Sequence, residues 1–308
     1  MATLSVVIPV YRSAAVLDEL AKQIGDVVCG SNFADGFELV LVNDCSPDDS
    51  WNVIERLATE YYFIRGVSLR KNVGQHNSTM AGLNFARGDI VVVMDDDLQH
   101  PPAAIIDLAN KIVEGHDVCY TRYRNRKHAA WKQWGSRFND RLATRILKKP
   151  AGLYLSSFKA LDRDIVDAVI RYDGPFTYLD GLVLASTNSI TSMDIDHGDR
   201  FAGASNYTLR KSISLWLRMV TGSSVVPLRV ATVLGLTLSA LSILMLIYVI
   251  VQRLVDPSIQ PGWASTIATI LLISGMQLFS LGIVGEYVGR IYARLNNAPQ
   301  FIVSKKTF

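Results

Sequence analysis

Three consecutive aspartates, Asp95, Asp96 and Asp97, follow the apolar run IVVVM (90–94) and precede LQHPP. Adjacent carboxylates repel one another, and all three stay ionised cheaply only with a cation close by. Oxygen ligands two residues apart suit a hard divalent ion such as Mg2+ or Mn2+, which takes one or two protein carboxylates and shares substrate phosphates. A solvated acidic loop is the plainer reading of such a triplet. Against it stands the position of the triplet, at the end of what reads as a buried strand. A further acid, Asp44, ends a second such run, FELVLVN (37–43).

Both runs belong to an alternating series. LSVVIPV (4–10) leads to a helix-like stretch over 16–28, and FELVLVN leads to SPDDSWNVIERLA, where Ser46 suits an N-cap and Asp48 and Asp49 the first turn. FIRGVSL (63–69) precedes QHNSTMAGLNFA, and DIVVVM (89–94) precedes AAIIDLANKIVEG and HDVCYTR. Continuous β-branched runs between amphipathic helices predict βαβ units and a parallel sheet covered on both faces. In such sheets ligands bind beyond the carboxyl ends of the strands. Asp44 and the triplet are therefore expected to share one site.

From about Tyr123 the pattern changes. The segment RYRNRKHAAWKQWGSRFNDRLATRILKK is densely basic, with Trp131, Trp134, Phe138, Leu142 and Ile146 three or four residues apart. That spacing predicts an amphipathic helix, with Asp140 pairing locally with Arg137 or Arg141. YTLRKSISLWLRMV (207–220) repeats the theme: Leu209, Ile213, Trp216, Leu217 and Val220 form a stripe beside Arg210, Lys211 and Arg218. Basic helices with a Trp-bearing face suit an anionic membrane surface, an ordinary core-facing helix being the alternative. The position of the second one, just before a membrane pair, favours the interfacial reading there.

The chain is 49% hydrophobic with a mean hydropathy of +0.21, and the excess is concentrated. Val230–Gln252 and Pro257–Gly285 carry no charge, and each exceeds the roughly 20 residues that cross a bilayer as a helix. The expected plan is an α/β domain over 1–206, a juxtamembrane helix over 207–229 and membrane helices over 230–252 and 264–288. An outer loop over 253–263 and a tail over 289–308 complete it. Arg210, Lys211, Arg218 and Arg229 flank the pair on one side, and Arg290, Arg294, Lys305 and Lys306 on the other. The positive-inside rule makes both ends cytoplasmic. Tyr248 and Trp263 suit the outer interface, and Pro257 and Pro261 a turn. Glu286 and Arg290, four residues apart, read as an ion pair at the end of the second helix. Met1–Val10 lacks a basic n-region and enters a strand directly, so no signal peptide is expected. Cys29, Cys45 and Cys119 have no metal-ligand spacing and fit a reducing compartment.

Seven segments occur in an order that carries a resemblance: VVIPVY (6–11), VNDCSPDDS (42–50), RKNVGQH (70–76), MDDDLQHPP (94–102), SSFKALDR (156–163), RFAGASNYTLRK (200–211) and GEYVGRIY (285–292). Together they resemble the membrane-anchored family 2 glycosyltransferases that load a sugar onto a polyprenyl phosphate. The resemblance covers nearly the whole chain. It implies a GT-A fold (a Rossmann-like, mostly parallel sheet) followed by interfacial helices and two transmembrane helices. It also implies a nucleotide-sugar donor and a polyprenyl-phosphate acceptor such as undecaprenyl phosphate.

Residue by residue, the resemblance puts Pro9, Tyr11, Ser13, Val42, Asp44, Asp95, Asp96 and Arg200 around the nucleotide. Asp95, Asp97 and Gln99 become metal positions for Mg2+ or Mn2+, with Asp97 also catalytic. Arg122, Arg124, Ser157 and Lys159 become acceptor-phosphate positions, and Arg122, Ser157 and Lys159 are also carried as catalytic. Guanidinium groups suit phosphates because they pair with the oxygens bidentately. The implied reaction is a single inverting displacement by an acceptor phosphate that is already anionic. A UDP-hexose such as UDP-glucose is the favoured donor, with GDP-mannose and UDP-aminoarabinose as alternatives. The implied setting is the bacterial cytoplasmic membrane, for cell-envelope glycans, with membrane lipids as partners and a tetramer by resemblance. No nucleic-acid partner is expected.

The chain departs from the pattern in several places. Tyr11-Arg12-Ser13 stands where the family often has Tyr-Asn-Glu, and Asn206 where Lys usually follows the serine of the R-x-x-G-x-S loop. Ser157 occupies a position where some members have a base-like Asp, and Asp96 one where relatives commonly have Ala. Asp96 is therefore read as contacting the nucleotide through its backbone, with a side chain that adds charge and no required chemistry. His100 could support the metal site from behind its ligands, but such a residue more often simply caps a turn, here the one before Pro101. A polymerising transferase is disfavoured by the absence of a Q-x-x-R-W-type segment. A degraded nucleotide-sugar-binding scaffold would rest on Arg12, Ser13, Ser157 and Asn206.

Overall fold

The computed structural model describes residues 2–123, 149–150, 152–195, 226–255, 262–296 and 298–308. The basic segment from 124 to 148, and with it Arg124 and Asp140, lies outside the described residues. So do Arg200, Asn206 and the Trp-bearing stretch at 207–220.

Apolar β-branched runs become strands where the sequence places them: β1 (Leu4–Val10), β2 (Phe37–Asn43), β3 (Ile64–Leu69) and β4 (Ile90–Val93). Four helices alternate with them: α1 (Leu17–Cys29), α2 (Ser50–Glu60), α3 (Gln75–Phe85) and α4 (Ala104–Val113). There follow β5 (Val118–Tyr123), β6 (Lys159–Asp162), α5 (Arg163–Ile170), α6 (Leu179–Ser186) and β7 (Ile190–Ile195). Two long helices, α7 (Val226–Val255) and α8 (Trp263–Leu295), precede a last strand, β8 (Val303–Lys306).

The sheet has eight strands in the order β7-β5-β6-β4-β1-β2-β3-β8. Its central strands, β4, β1, β2 and β3, are parallel, as is the β5–β7 pair. β6 and β8 run antiparallel to their neighbours, so the sheet is mixed rather than wholly parallel. Alternation along β1 explains the layering. Leu4, Val6, Ile8 and Val10 bury against α1, α2 and α4, whereas Val7 faces the layer that contains α3, α5 and α6. Both faces are covered, and all seven residues of β1 are buried.

The expected helix start at Ser46 moves. The N-cap of α2 is Asp49, and Ser46 instead takes the Arg12 amide at 3.2 Å, tying the end of β1 to that of β2.

α7 and α8 are long and apolar enough to cross a membrane over Leu228–Met245 and Leu272–Leu295, and hardly any of either span is buried within the protein. The Glu286–Arg290 pair forms at 3.0 Å, and the Arg290 guanidinium also lies over the Phe176 ring. Arg294 lies over Tyr172 in the same way, so the end of α8 rests on the loop before α6. The tail then rejoins the sheet. Lys306 stands opposite Val67, the Thr307 amide donates to Gly66 O at 3.1 Å, and Phe308 packs beneath Arg65.

Helix α3 reaches the sheet through Gly82. A Cβ there would stand 2.3 Å from Val7 Cγ1 and 3.0 Å from Val42 Cγ2. That close approach sets the depth of α3, whose first turn enters the rim where the acids lie. Gly82→Ala should therefore lower stability by about 1–3 kcal/mol through overpacking, which thermal unfolding of the full chain in detergent would measure.

Candidate active site

The register of the central strands brings the acids together. Asn43 pairs with Val10 and Val93 with Val7, so the chains leaving β2 and β4 emerge on either side of the end of β1. Beyond those ends lies an open cavity of about 410 Å3, lined by Pro9, Val10, Tyr11, Asp44, Asn72, Gly74, Gln75, Asp95, Asp96 and Asp97.

Asp44 is buried, and its two oxygens accept the amides of Val73 and Gly74 at 2.8 and 2.9 Å. Burial raises its pKa, and the two amide bonds oppose the shift. The clamp fixes the loop that enters α3, where Gly74 takes φ 83°, a left-handed value that suits glycine. The first residue of α3, Gln75, then donates through Nε2 to Asp95 Oδ1 at 2.6 Å. Ser157, just before β6, donates its hydroxyl to Asp95 Oδ2 at 2.6 Å.

His100 does not merely cap a turn. It is buried, accepts the Asp95 amide at Nδ1 at 3.3 Å, and stacks on Phe158 with Tyr123 in a further stacked contact. Its ring fixes the backbone that carries the triplet. Asp97 accepts the Gln99 amide at 3.1 Å, which closes the turn. Asp96 turns the other way. Its Oδ2 accepts the Tyr11 amide at 3.0 Å and the Ser13 hydroxyl. Burial raises its pKa to about 6 despite those bonds, and Asp95 adds to the rise.

These residues suit a divalent cation on chemical grounds. Among the described residues no three acids or imidazoles converge into a closed cage. Two carboxylates facing a roomy cavity leave most of the coordination shell to water and phosphate, as Mg2+ commonly requires. Asp95 and Asp97 would hold such an ion.

Residues 5–170 match the family model for glycosyl transferase family 2, and residues 226–291 match that for the GtrB C-terminal hairpin. The chain belongs to glycosyl transferase family 2. It is a glycosyltransferase, and its relatives place it in the polyprenyl-phosphate branch of the family. The undecaprenyl-phosphate 4-deoxy-4-formamido-L-arabinose transferase of Pseudomonas syringae pv. syringae (strain B728a) is 32% identical, with 98% of this chain and 90% of the relative covered. The protein of the same name from Proteus mirabilis (strain HI4320) is 31% identical over 98% of this chain and 93% of its own length. Among solved structures, glucosyl-3-phosphoglycerate synthase from Mycobacterium tuberculosis, in complex with Mn2+, UDP-glucose and phosphoglyceric acid, superposes with a TM-score of 0.51. Its identity is 19%, over 71% of this chain and 78% of that one. Mannosyl-3-phosphoglycerate synthase from Rubrobacter xylanophilus gives a TM-score of 0.53 at 17% identity, over 71% and 72% of the two chains. These likenesses establish the GT-A-like fold.

Within that fold, Pro9, Tyr11, Asp44, Asp95, Asp96 and Asp97 line the cavity, and Ser13 and Ser157 join it through Asp96 and Asp95. Other expected positions lie elsewhere. Val42 is fully buried beneath Gly82, because alternation along β2 turns it toward α3. Lys159 shares a face of β6 with Leu161 and is 2% exposed; its ammonium pairs with Asp180, so it offers no free charge to an acceptor phosphate. Arg122 pairs with Asp194 at 2.7 and 3.2 Å across β5 and β7, and is absent from the cavity lining. Gln99 contributes its amide to Asp97. Sequence reasoning missed Gln75 and Asn72, although both lie in the quoted RKNVGQH segment, whose place between a strand end and a helix start was the available signal.

Asp96 makes a pH prediction possible. Its folded pKa lies above the unfolded carboxylate value, so the native state holds the proton longer and loses stability as pH rises from about 4 to about 6. In chelator, Asp96→Asn should gain on the wild type by up to roughly 3 kcal/mol across that window and keep the difference above it. Unfolding midpoints measured at several pH values would check this.

Proposed function

We propose that this transferase moves a sugar from a nucleotide sugar to a polyprenyl phosphate, undecaprenyl phosphate in a bacterial membrane, at the cytoplasmic face. The observation that carries the reading is the convergence of Asp44 and Asp95–Asp97 on one cavity at the carboxyl ends of β1, β2 and β4. An acceptor-phosphate oxygen would bond to the anomeric carbon as the bond from that carbon to the diphosphate oxygen breaks, which inverts the centre. Because the nucleophile is already anionic, Ser157 in place of a carboxylate is no obstacle. Asp95, with both oxygens hydrogen-bonded, serves as an oriented ligand rather than a base. Mg2+ or Mn2+ held by Asp95 and Asp97 would neutralise charge on the departing diphosphate. α3 begins at Gln75, which lines the same cavity, so the positive end of its dipole is directed at that region.

The return of the tail into the sheet supports the topology. β8 pairs with β3, so the chain must leave and re-enter on the side of the membrane where the catalytic domain lies. Arg229, Arg290 and Arg294 at the helix ends favour the cytoplasmic side. For the donor, a UDP-sugar remains the reading. The names of the relatives put a 4-deoxy-4-formamido-L-arabinosyl group ahead of glucose.

Membranes carrying the full chain, given undecaprenyl phosphate, Mg2+ or Mn2+ and a panel of labelled nucleotide sugars, should yield a sugar-linked lipid with at least one donor. Silence with every donor would overturn the proposal. With the active donor, Asp97→Ala should cut turnover by at least about 10²–10³-fold, the scale of one lost group that stabilises transition-state charge. Turnover near wild type in that variant would remove the metal assignment.

A further inference from the structure

The turn after β1 has an unusual set of partners. Four consecutive amides point outward to side chains from other loops: Tyr11 N–H to Asp96 at 3.0 Å, Arg12 N–H to Ser46 at 3.2 Å, Ser13 N–H to Ser50 at 3.2 Å and Ala14 N–H to Asp48 at 3.2 Å. Arg12, in the middle, holds φ at 60°, a conformation that a residue with a Cβ seldom adopts and keeps only when its surroundings over-determine it. Three of the four acceptors come from the β2–α2 connection and the first residue of α2. Asp96 alone comes from the acid triplet, and it also takes the Ser13 hydroxyl, so it grips the turn on both sides of Arg12. The turn presents Tyr11, which is 44% exposed, to the cavity.

We infer that Asp96 is a positioning residue: its carboxylate, bonded to Tyr11 and Ser13, holds the wall of the donor cavity in register with the Asp95–Asp97 pair. The inference rests on the donor reading of the cavity given above. It joins two departures from the family pattern, an acid in place of alanine at 96 and a serine in place of glutamate at 13. In this chain the carboxylate between the two loops comes from the triplet side. It follows that the contact needs one side-chain acceptor oxygen between the loops, whichever loop supplies it.

Two measurements on the full chain in detergent test this. The first, amide hydrogen exchange of the peptide covering residues 11–14, needs no donor. Asp96→Ala should speed exchange there at least tenfold, while Asp96→Asn, whose Oδ1 in the place of Oδ2 can still accept both the Tyr11 amide and the Ser13 hydroxyl, should stay near wild type. The second is steady-state kinetics with the active donor. Asp96→Ala should raise the donor KM about tenfold and change kcat less than threefold. The double variant Ser13→Glu/Asp96→Ala should recover both exchange protection and KM. Unchanged exchange in Asp96→Ala would overturn the inference, as would a fall in kcat at constant KM. So would a double variant that folds and recovers neither property. If the wild type turns over no donor, the functional reading fails, and the exchange data still decide the positioning role.

Discussion

Carboxylates crowded at the ends of buried strands must be given donors, and the loops of this protein are shaped by that demand. Asp44 takes the amides of Val73 and Gly74, Asp95 takes Gln75 and Ser157, Asp96 takes Tyr11 and Ser13, and Asp97 takes the Gln99 amide. Among the described residues none of these acids is paired with a lysine or arginine. The donors are neutral, so they fix geometry without cancelling charge. A rim held this way keeps its negative field, and in the proposed reaction that field would attract a divalent cation carrying a diphosphate. Internal arginine partners would have steadied the same carboxylates while weakening their pull on an ion.

The same demand accounts for the backbone strain. Among the described residues, Arg12, Cys45 and Leu98 are the non-glycine residues with positive φ, and they follow the ends of β1, β2 and β4 respectively. Each such conformation costs on the order of 1–3 kcal/mol and persists only where neighbouring contacts fix it. The strands converge on one rim, and the chain must turn sharply at each end to aim amides at carboxylates. Around Arg12 the fixing contacts are visible one by one, and three of them come from the chain that follows β2.

Much of this was legible in the sequence because periodicity reports burial. FELVLVN became β2 at the expected boundaries, and the alternation of apolar runs with amphipathic helices produced the layered sheet. Asp44 and the triplet met as the strand-end argument required. What could not be read were the directions of side chains in short or irregular segments. In SSFKALDR, Ser157 precedes β6 and faces Asp95, whereas Lys159 begins the strand and faces Tyr120 and Asp180. The resemblance put both at one acceptor site, but the bend between them breaks the alternation. Of the two readings of His100 the sequence favoured the turn cap, because the partners that seat its ring behind Asp95 (Phe158 and Tyr123) are distant in sequence. β8 gave no signal, since VSKK is short and its partner lies more than 230 residues earlier.

That last strand changes how the membrane hairpin is understood. An appended pair of helices could hang from a catalytic domain by one flexible joint. Here the chain is fastened again after the second helix, first by Arg290 and Arg294 over Phe176 and Tyr172, then by Gln300 bonding Gly174 O at 3.2 Å, then by β8 itself. The fastened loop, 172–178, continues along α3, where Asn77 donates to Pro175 O at 3.3 Å and His76 meets the Tyr178 ring edge-on. α3 begins at Gln75, on Asp95. A continuous set of packed contacts therefore runs from the end of the second candidate membrane helix to the acid triplet. On the proposed function, with the acceptor phosphate at a membrane surface, this link would hold the acids at a set distance from that surface, which a free tether could not do.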